Sequence, residues 1–428
     1  MIILSMIEMY ESLFILHFIL RKKAGSKMKK TYVISAKRSA IGSFLGSLAT
    51  VKPAVLGSTV VKALLEDAKV APENVDELIC GNVLGAGLGQ NIARTVALEA
   101  GIPETVCSHS VNMVCGSGLR TVMEGVMSIQ TGFNDIVVAG GVESMSGAPY
   151  LIPANSRTGN KMGDFKCTDH MIYDALTDAR HGVHMGITAE NIADKYNITR
   201  EMQDEFAYAS QQKAIAAVDG GKFKDEIVPI EVKLRKETKV FDTDEHPNRK
   251  TNLEKLAGLR PAFKKDGSVT AGNASGINDG ASFVLLASEE AVAKYNLTPI
   301  CEVIGIGQGG CDPLTMGLGP TPAIRNALNY AGIKLDEVDL VELNEAFAAQ
   351  SLGVIHELVE EHGIDREAFM AKTNVNGGAI ALGHPVGASG NRILVSLIHE
   401  MKKSNKQVGL ASLCIGGGQG TAVIVKLV

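Results

Sequence analysis

Apolar positions follow two textures along the chain. Short, mostly apolar runs occur at Tyr32-Val33-Ile34, Ile136-Val137-Val138-Ala139, Val338 to Leu343 and Val408-Gly409-Leu410-Ala411. Their length and β-branched content predict strands buried on both faces. Between them the apolar positions recur at helical spacing. Leu119, Val122, Met123 and Val126 fall on one face of Leu119–Thr131, and Ile393, Leu397 and Met401 on one face of Arg392–Met401. Gly57–Ala68 and Thr321–Ala331 also read as helices.

The order of these elements repeats. Val75-Asp76-Glu77-Leu78-Ile79-Cys80-Gly81-Asn82 parallels Val338-Asp339-Leu340-Val341-Glu342-Leu343-Asn344, each after a helical stretch. A Val-Asn pair (111-112; 375-376) and a Ser-Gly pair (117-118; 389-390) follow in both, the latter opening a helix that leads into a strand. A duplicated α/β unit with parallel sheets is therefore expected, with ligands at the carboxyl ends of strands. From about Gly147 to Ala274 the texture turns polar, with helical patterns at Met185–Tyr196 and Arg200–Val218. The division expected is 28–146 plus 275–298 for the first half, 147–274 for an inserted loop domain, and 299–428 for the second half. The run Thr270 to Gly280 is rich in small residues, which let a ligand lie against backbone.

Composition narrows the class. The chain has 428 residues, 45% of them hydrophobic, with 46 glycines, enough for a sizeable turn-rich α/β core. A net charge of −5 with dispersed basic residues excludes a nucleic-acid footprint. Seven irregularly spaced cysteines without a C-x-x-C pair argue against a disulfide framework or structural zinc, and for a reducing, cytoplasmic setting. No metal set is indicated. Residues 1–27 are apolar but carry Glu8, Glu11 and His17, and Arg21-Lys22-Lys23 follows the apolar run. That order suits neither a secretory signal nor a membrane span, so they read as an extension in front of a start at Met28.

Chemistry concentrates in four glycine-rich or polar turns. Cys115 lies in Val111-Asn112-Met113-Val114-Cys115-Gly116-Ser117-Gly118, at a strand-to-helix junction where backbone N–H groups and the helix dipole favour the thiolate. The others are Asn344-Glu345-Ala346-Phe347, the run Asn376 to Gly390 around His384, and Cys414-Ile415-Gly416-Gly417-Gly418. Together they offer a nucleophile, a base, a second thiol and an amide that core packing does not require. The competing reading of a buried structural thiol is strongest for Cys414, and Met185 and Met316 read equally well as plain core residues.

These blocks, in this order, resemble the thiolase family over Met28 to Val428. The resemblance implies a thiolase fold, α/β with two similar halves and an inserted loop domain, assembled as a homotetramer. It implies an acyltransferase that condenses two acetyl-CoA into acetoacetyl-CoA and CoA through an acetyl-cysteine, with CoA thioesters as substrates and no further cofactor. Within the family, His184 to Glu190 looks like the biosynthetic acetyl-CoA acetyltransferases. Carried over, Cys115 is the nucleophile, His384 its base and later a donor to the second thioester's oxygen, and Cys414 the acid/base at the α-carbon. Asn344 holds a water that completes one oxyanion hole with His384; the N–H groups of Cys115 and Gly416 form the other. Ser275, Leu176 and His184 match the pantetheine tunnel, and Met185, Met316 and Phe347 the acyl pocket. His246 to Thr251 departs from the family pattern, leaving Arg249 as a candidate phosphate contact. No nucleic-acid or membrane partner is expected. The alternatives are a degradative 3-ketoacyl-CoA thiolase of broader chain length, or a non-catalytic acyl-CoA or lipid carrier. Cys414 speaks against a ketoacyl synthase or a hydroxymethylglutaryl-CoA synthase.

Overall fold

The computed structural model describes residues 29–428; the extension at 1–27 and the start at Met28 lie outside the described residues. Nine strands form one path through a large sheet. In chain order they are β1 (Thr31–Ser39), β2 (Glu77–Gly81), β3 (Cys107–Val111), β4 (Ile136–Ser144), β5 (Asn278–Ser288), β6 (Cys301–Gly310), β7 (Leu340–Leu343), β8 (Val408–Ile415) and β9 (Gln419–Leu427). Their spatial order is β7-β8-β9-β6-β1-β5-β4-β2-β3. Strands β1, β5, β4, β2 and β3 come from the first half and β6 to β9 from the second. Within the sheet the halves pair where Tyr32 faces Glu302 and Val33 faces Cys301.

The duplication is exact in its capping detail. Asp76 accepts the backbone N–H groups of Asp135 and Ile136, and Asp339 accepts those of Gln407 and Val408, so one aspartate ties corresponding strands in each half. The expected parallel sheet is corrected. Only β2–β3, β2–β4 and β7–β8 pair in parallel along this path, whereas β1, β5, β6 and β9 run antiparallel to their neighbours. A strand buried on both faces reads as the same apolar run in either direction, so the run does not reveal the pairing sense.

Two helices, α3 (Ser117–Gln130) and α8 (Val386–Ser404), share one core with strand residues of both halves, including Val137, Leu286, Leu413 and Val423. Outer helices cover the other faces: α1 (Pro53–Ala68) and α2 (Ile92–Glu99) on the first half, α6 (Pro320–Ala331) and α7 (Ala348–His362) on the second. The inserted region supplies α4 (Met185–Tyr196) and α5 (Arg200–Asp219). Helix α8 begins at Val386, ahead of the Ser-Gly pair that was expected to open it. Pro385 bars helix upstream. Downstream, Gly387 and Gly390 let the first turn seat against the other half: a Cβ on Gly390 would lie 2.5 Å from the N of Leu119. Helix α3 therefore meets α8 at glycines, which brings together the turns that precede these helices.

Candidate active site

Cys115 occupies a tight turn between β3 and α3. Val114 before it sits at φ 46°, a left-handed conformation that a β-branched residue adopts only when its surroundings enforce it. The enforcement is visible: Asn112 Oδ1 accepts the Val114 N–H at 3.0 Å, while Ser117 Oγ accepts the Met113 N–H at 2.9 Å and donates to Val114 O at 2.7 Å. Gly116 is required sterically, because a Cβ there would stand 2.2 Å from Ile415 Cδ1. The cysteine turn thus lies directly against the end of β8, and the Gly416 N–H there pulls the Cys115 thiol toward its ionised form.

The expected thiolate is corrected in its resting balance. Burial pushes the Cys115 thiol up to about 11, and the pull of the Gly416 and Cys115 N–H groups does not offset it. A base must therefore take its proton. His384 is built for that. Its ring is buried, its backbone N–H donates to Asn278 Oδ1 at 2.9 Å, and its Nδ1 lies 2.6 Å from Ser389 Oγ. The Ser389 hydroxyl is already donated to Pro385 O at 2.9 Å, so Nδ1 carries the proton and Nε2 is left as the free lone pair. That Nε2 is buried with no hydrogen-bond partner among the described residues. Burial, then the Arg392 charge, hold the imidazole neutral, down to about 3.

Cys414, the second-last residue of β8, is fully buried in a cluster with Met185, Val269, Ala274, Met316 and Phe347. Burial foremost, then the Cys115 and Cys311 sulfurs, raise its thiol well above the ordinary value. Asn344 follows β7; its backbone N–H donates to Ser412 O at 3.0 Å, and both side-chain amide atoms are buried without a protein partner. Buried amides are nearly always satisfied, so this one is kept for a group the chain does not supply.

The remaining predicted residues line an approach to this centre. Met185 packs toward Gly416, where a Cβ would sit 3.5 Å from its sulfur. Thr177 and His184 form an antiparallel bridge, and the Met185 N–H donates to Leu176 O, which gathers Leu176, His184 and Met185 at one place. Ala274 bridges to Phe347, and the Ser275 N–H donates to Ala346 O. Phe263, not singled out in the sequence, stacks on His184 with centroids 4.7 Å apart and meets Phe347 edge-on at 6.1 Å. Its position in an irregular charged stretch gave no signal. Arg249 is exposed and paired with Asp219, on a cavity of about 700 Å³ that also exposes His246, Lys250 and Gly272. His246 covers Gly276, next to Ser275, so this cavity adjoins the predicted tunnel.

Comparison with known proteins gives the family. The thiolase N-terminal domain matches residues 31–290 and the thiolase C-terminal domain residues 297–427. The chain belongs to the thiolase family. This thiolase is 53% identical over 399 residues to the acetyl-CoA acetyltransferase of Escherichia coli (strain K12), covering 93% of this chain and 99% of that protein. Its fold is similar to the solved acetyl-CoA acetyltransferase from Syntrophomonas wolfei, with TM-score 0.91 and 44% identity, covering 94% of this chain and 100% of that one. It is also similar to human mitochondrial 3-ketoacyl-CoA thiolase in complex with CoA, with TM-score 0.88 and 45% identity over 94% of this chain and 98% of that one. Among the described residues of this thiolase, no helix is long and apolar enough to cross a membrane.

Proposed function

We propose that this thiolase is an acetyl-CoA C-acetyltransferase working through an acetyl group on Cys115. The observation that carries the reading is the packing of the Cys115 turn against Ile415, the neighbour of buried Cys414, together with a buried imidazole on His384 whose Nε2 has no partner among the described residues. His384 Nε2 takes the Cys115 proton, and the thiolate attacks the acetyl carbonyl of acetyl-CoA. The CoA thiolate leaves with a proton from Cys414, whose burial keeps it protonated at rest. Cys414, now a thiolate, removes a proton from the α-carbon of a second acetyl-CoA. The enolate oxygen faces protonated His384 and the water held by Asn344. The carbanion attacks acetyl-Cys115, whose oxygen faces the N–H groups of Cys115 and Gly416, each such donor typically contributing about 3 kcal/mol. Cys115 departs as thiolate and recovers its proton from His384, leaving acetoacetyl-CoA and CoA. An acyl-cysteine retains the thioester reactivity that this attack needs.

Residues 147–274 cover the CoA thioester: Leu176 and His184, with Ser275 just beyond the inserted region, flank the pantetheine, and Arg249 lies at the phosphates. Met185, Met316 and Phe347 close the acyl pocket, and their burial beside Cys414 supports a two-carbon acyl group over a long chain. Tyr150, Ile152, Met162 and Phe165, all exposed on one stretch, support assembly as a homotetramer. Seven free cysteines fit a cytoplasmic enzyme. The test is thiolysis of four-carbon against longer 3-ketoacyl-CoA. Turnover confined to the short substrate supports the acetyltransferase, and faster turnover of long chains would assign the enzyme to degradation.

A further inference from the structure

The His384 turn and the Cys115 turn belong to different halves, and a third residue spans them. Glu143, near the end of β4, is fully buried. Its Oε2 accepts the N–H groups of Val83 at 2.9 Å and Gly387 at 3.0 Å; its Oε1 accepts the Asn82 side-chain amide at 3.0 Å and the Leu84 N–H at 3.2 Å. Asn82 in turn donates its backbone N–H to Val111 O at 3.1 Å, where β3 enters the cysteine turn. Gly387 lies in the first turn of α8, a helix with no side-chain cap at its own start. A carboxylate from the other half fills that role at the positive end of the helix dipole. The same turn carries Ser389, the partner of His384 Nδ1.

Packing leaves the Gly387 peptide no freedom to drift. A Cβ on Gly81, Gly118 or Gly141 would stand 2.7, 3.0 or 2.1 Å from Gly387 O, so glycines of the first half form a socket for it. Four donors converging on one side chain also dictate its type. An amide of the same size offers one acceptor atom and turns its own N–H groups toward two of those donors.

We propose that Glu143 is a positioning residue of the condensation: its carboxylate ties the His384 turn to the loop behind Cys115. This rests on the assignment of Cys115 and His384 given above. The ionisable groups that face it are Cys80 on β2, Cys115 on its turn and Asp279 on β5. Burial, reinforced by Asp279, brings Glu143 itself up to about 7 despite its backbone hydrogen bonds. Its charge raises the Cys115 thiol, so removing that charge should make the thiol more acidic.

The test is the pH dependence of Cys115 alkylation by iodoacetamide, with kcat and KM for acetyl-CoA, in the wild type, Glu143→Gln and Glu143→Asp. Misplacement of the base by a fraction of an ångström to one ångström should lower kcat roughly 10- to 100-fold in Glu143→Gln with KM nearly unchanged. The alkylation midpoint should move to lower pH in Glu143→Gln and stay in place in Glu143→Asp, which keeps the charge but is too short to span both halves. Wild-type kcat and an unmoved midpoint in Glu143→Gln, with only a lower melting temperature, would overturn the proposal. Should that variant not fold, Glu143→Asp decides: reduced kcat with an unmoved midpoint supports it, and wild-type kcat refutes it. Acetylation of Cys115 in the wild type, followed in parallel, separates the failures. Its absence removes the assignment of the nucleophile; its presence beside wild-type kcat in both variants removes only Glu143.

Discussion

Asn344→Leu should slow the enzyme and stabilise it at once. Asn344 is 1% exposed, and neither side-chain amide atom meets a protein partner. Burying an amide costs about 1–3 kcal/mol of desolvation, and the water it holds offsets only part of that. Leucine matches the branching of asparagine and has no polar atoms, so the substitution removes that cost and breaks no hydrogen bond to a described protein group; the backbone N–H to Ser412 O survives it. Stability should rise by about 1 kcal/mol, a shift of roughly two degrees in melting temperature for a chain of this size. The reaction loses the donor that orders a water at the enolate oxygen. One oxyanion donor is typically worth about 3 kcal/mol, so condensation should fall roughly 10²–10³-fold. Thermal unfolding and acetoacetyl-CoA formation, measured on the same preparation, read both signs. An ordinary core asparagine would lose activity and stability together. That outcome, or a rate within about fivefold of the wild type, would refute the reasoning.

Two further expectations concern other parts of the molecule. His109 on β3 has Nδ1 3.1 Å from Glu77 and Nε2 3.3 Å from Glu124, and hydrogen bonds to Glu124 and then Glu77 raise it to about 9. Its folded value lies above the ordinary histidine value, so its contribution is complete below about pH 6.5 and is lost as pH rises through about 9. The stability gap between wild type and His109→Gln, taken from urea unfolding, should be present at pH 6 and gone by pH 10; an equal gap at both would contradict this. Gly116→Ala drives a methyl into Ile415, with 2.2 Å available, and should cost about 1–3 kcal/mol in urea unfolding while slowing acetylation of Cys115. A variant with wild-type stability would show that the two turns do not meet as described.

The duplicated order of strands and helices was legible because each unit repeats the same apolar runs and the same aspartate before its strand. Cys115, Asn344, His384 and Cys414 stood out in the sequence because reactive side chains sit in glycine-rich or polar turns, although Gly116, Gly118, Gly387 and Gly390 prove to serve close packing between the halves. What stayed hidden depends on tertiary contact. Antiparallel pairing of β5, β6 and β9 leaves no mark on a strand buried on both faces. Helix α8 starts six residues before Arg392 because its first turn docks on glycines of the other half, which no local propensity encodes. The acidity of Cys115 was misjudged for a related reason: the helix terminus is visible in the sequence, but the burial that outweighs it is not. Phe263 and Glu143 acquire meaning only from partners 79 and 244 residues away, His184 and Gly387.

Peptide mass spectrometry after incubation with acetyl-CoA tests the central claim most directly, in the wild type and in Cys414→Ser. One shared centre predicts acetyl on Cys115 in both, persisting in Cys414→Ser because the second substrate is no longer deprotonated. An acetyl group on any other residue, or rapid acetoacetyl-CoA formation without Cys414, would contradict it.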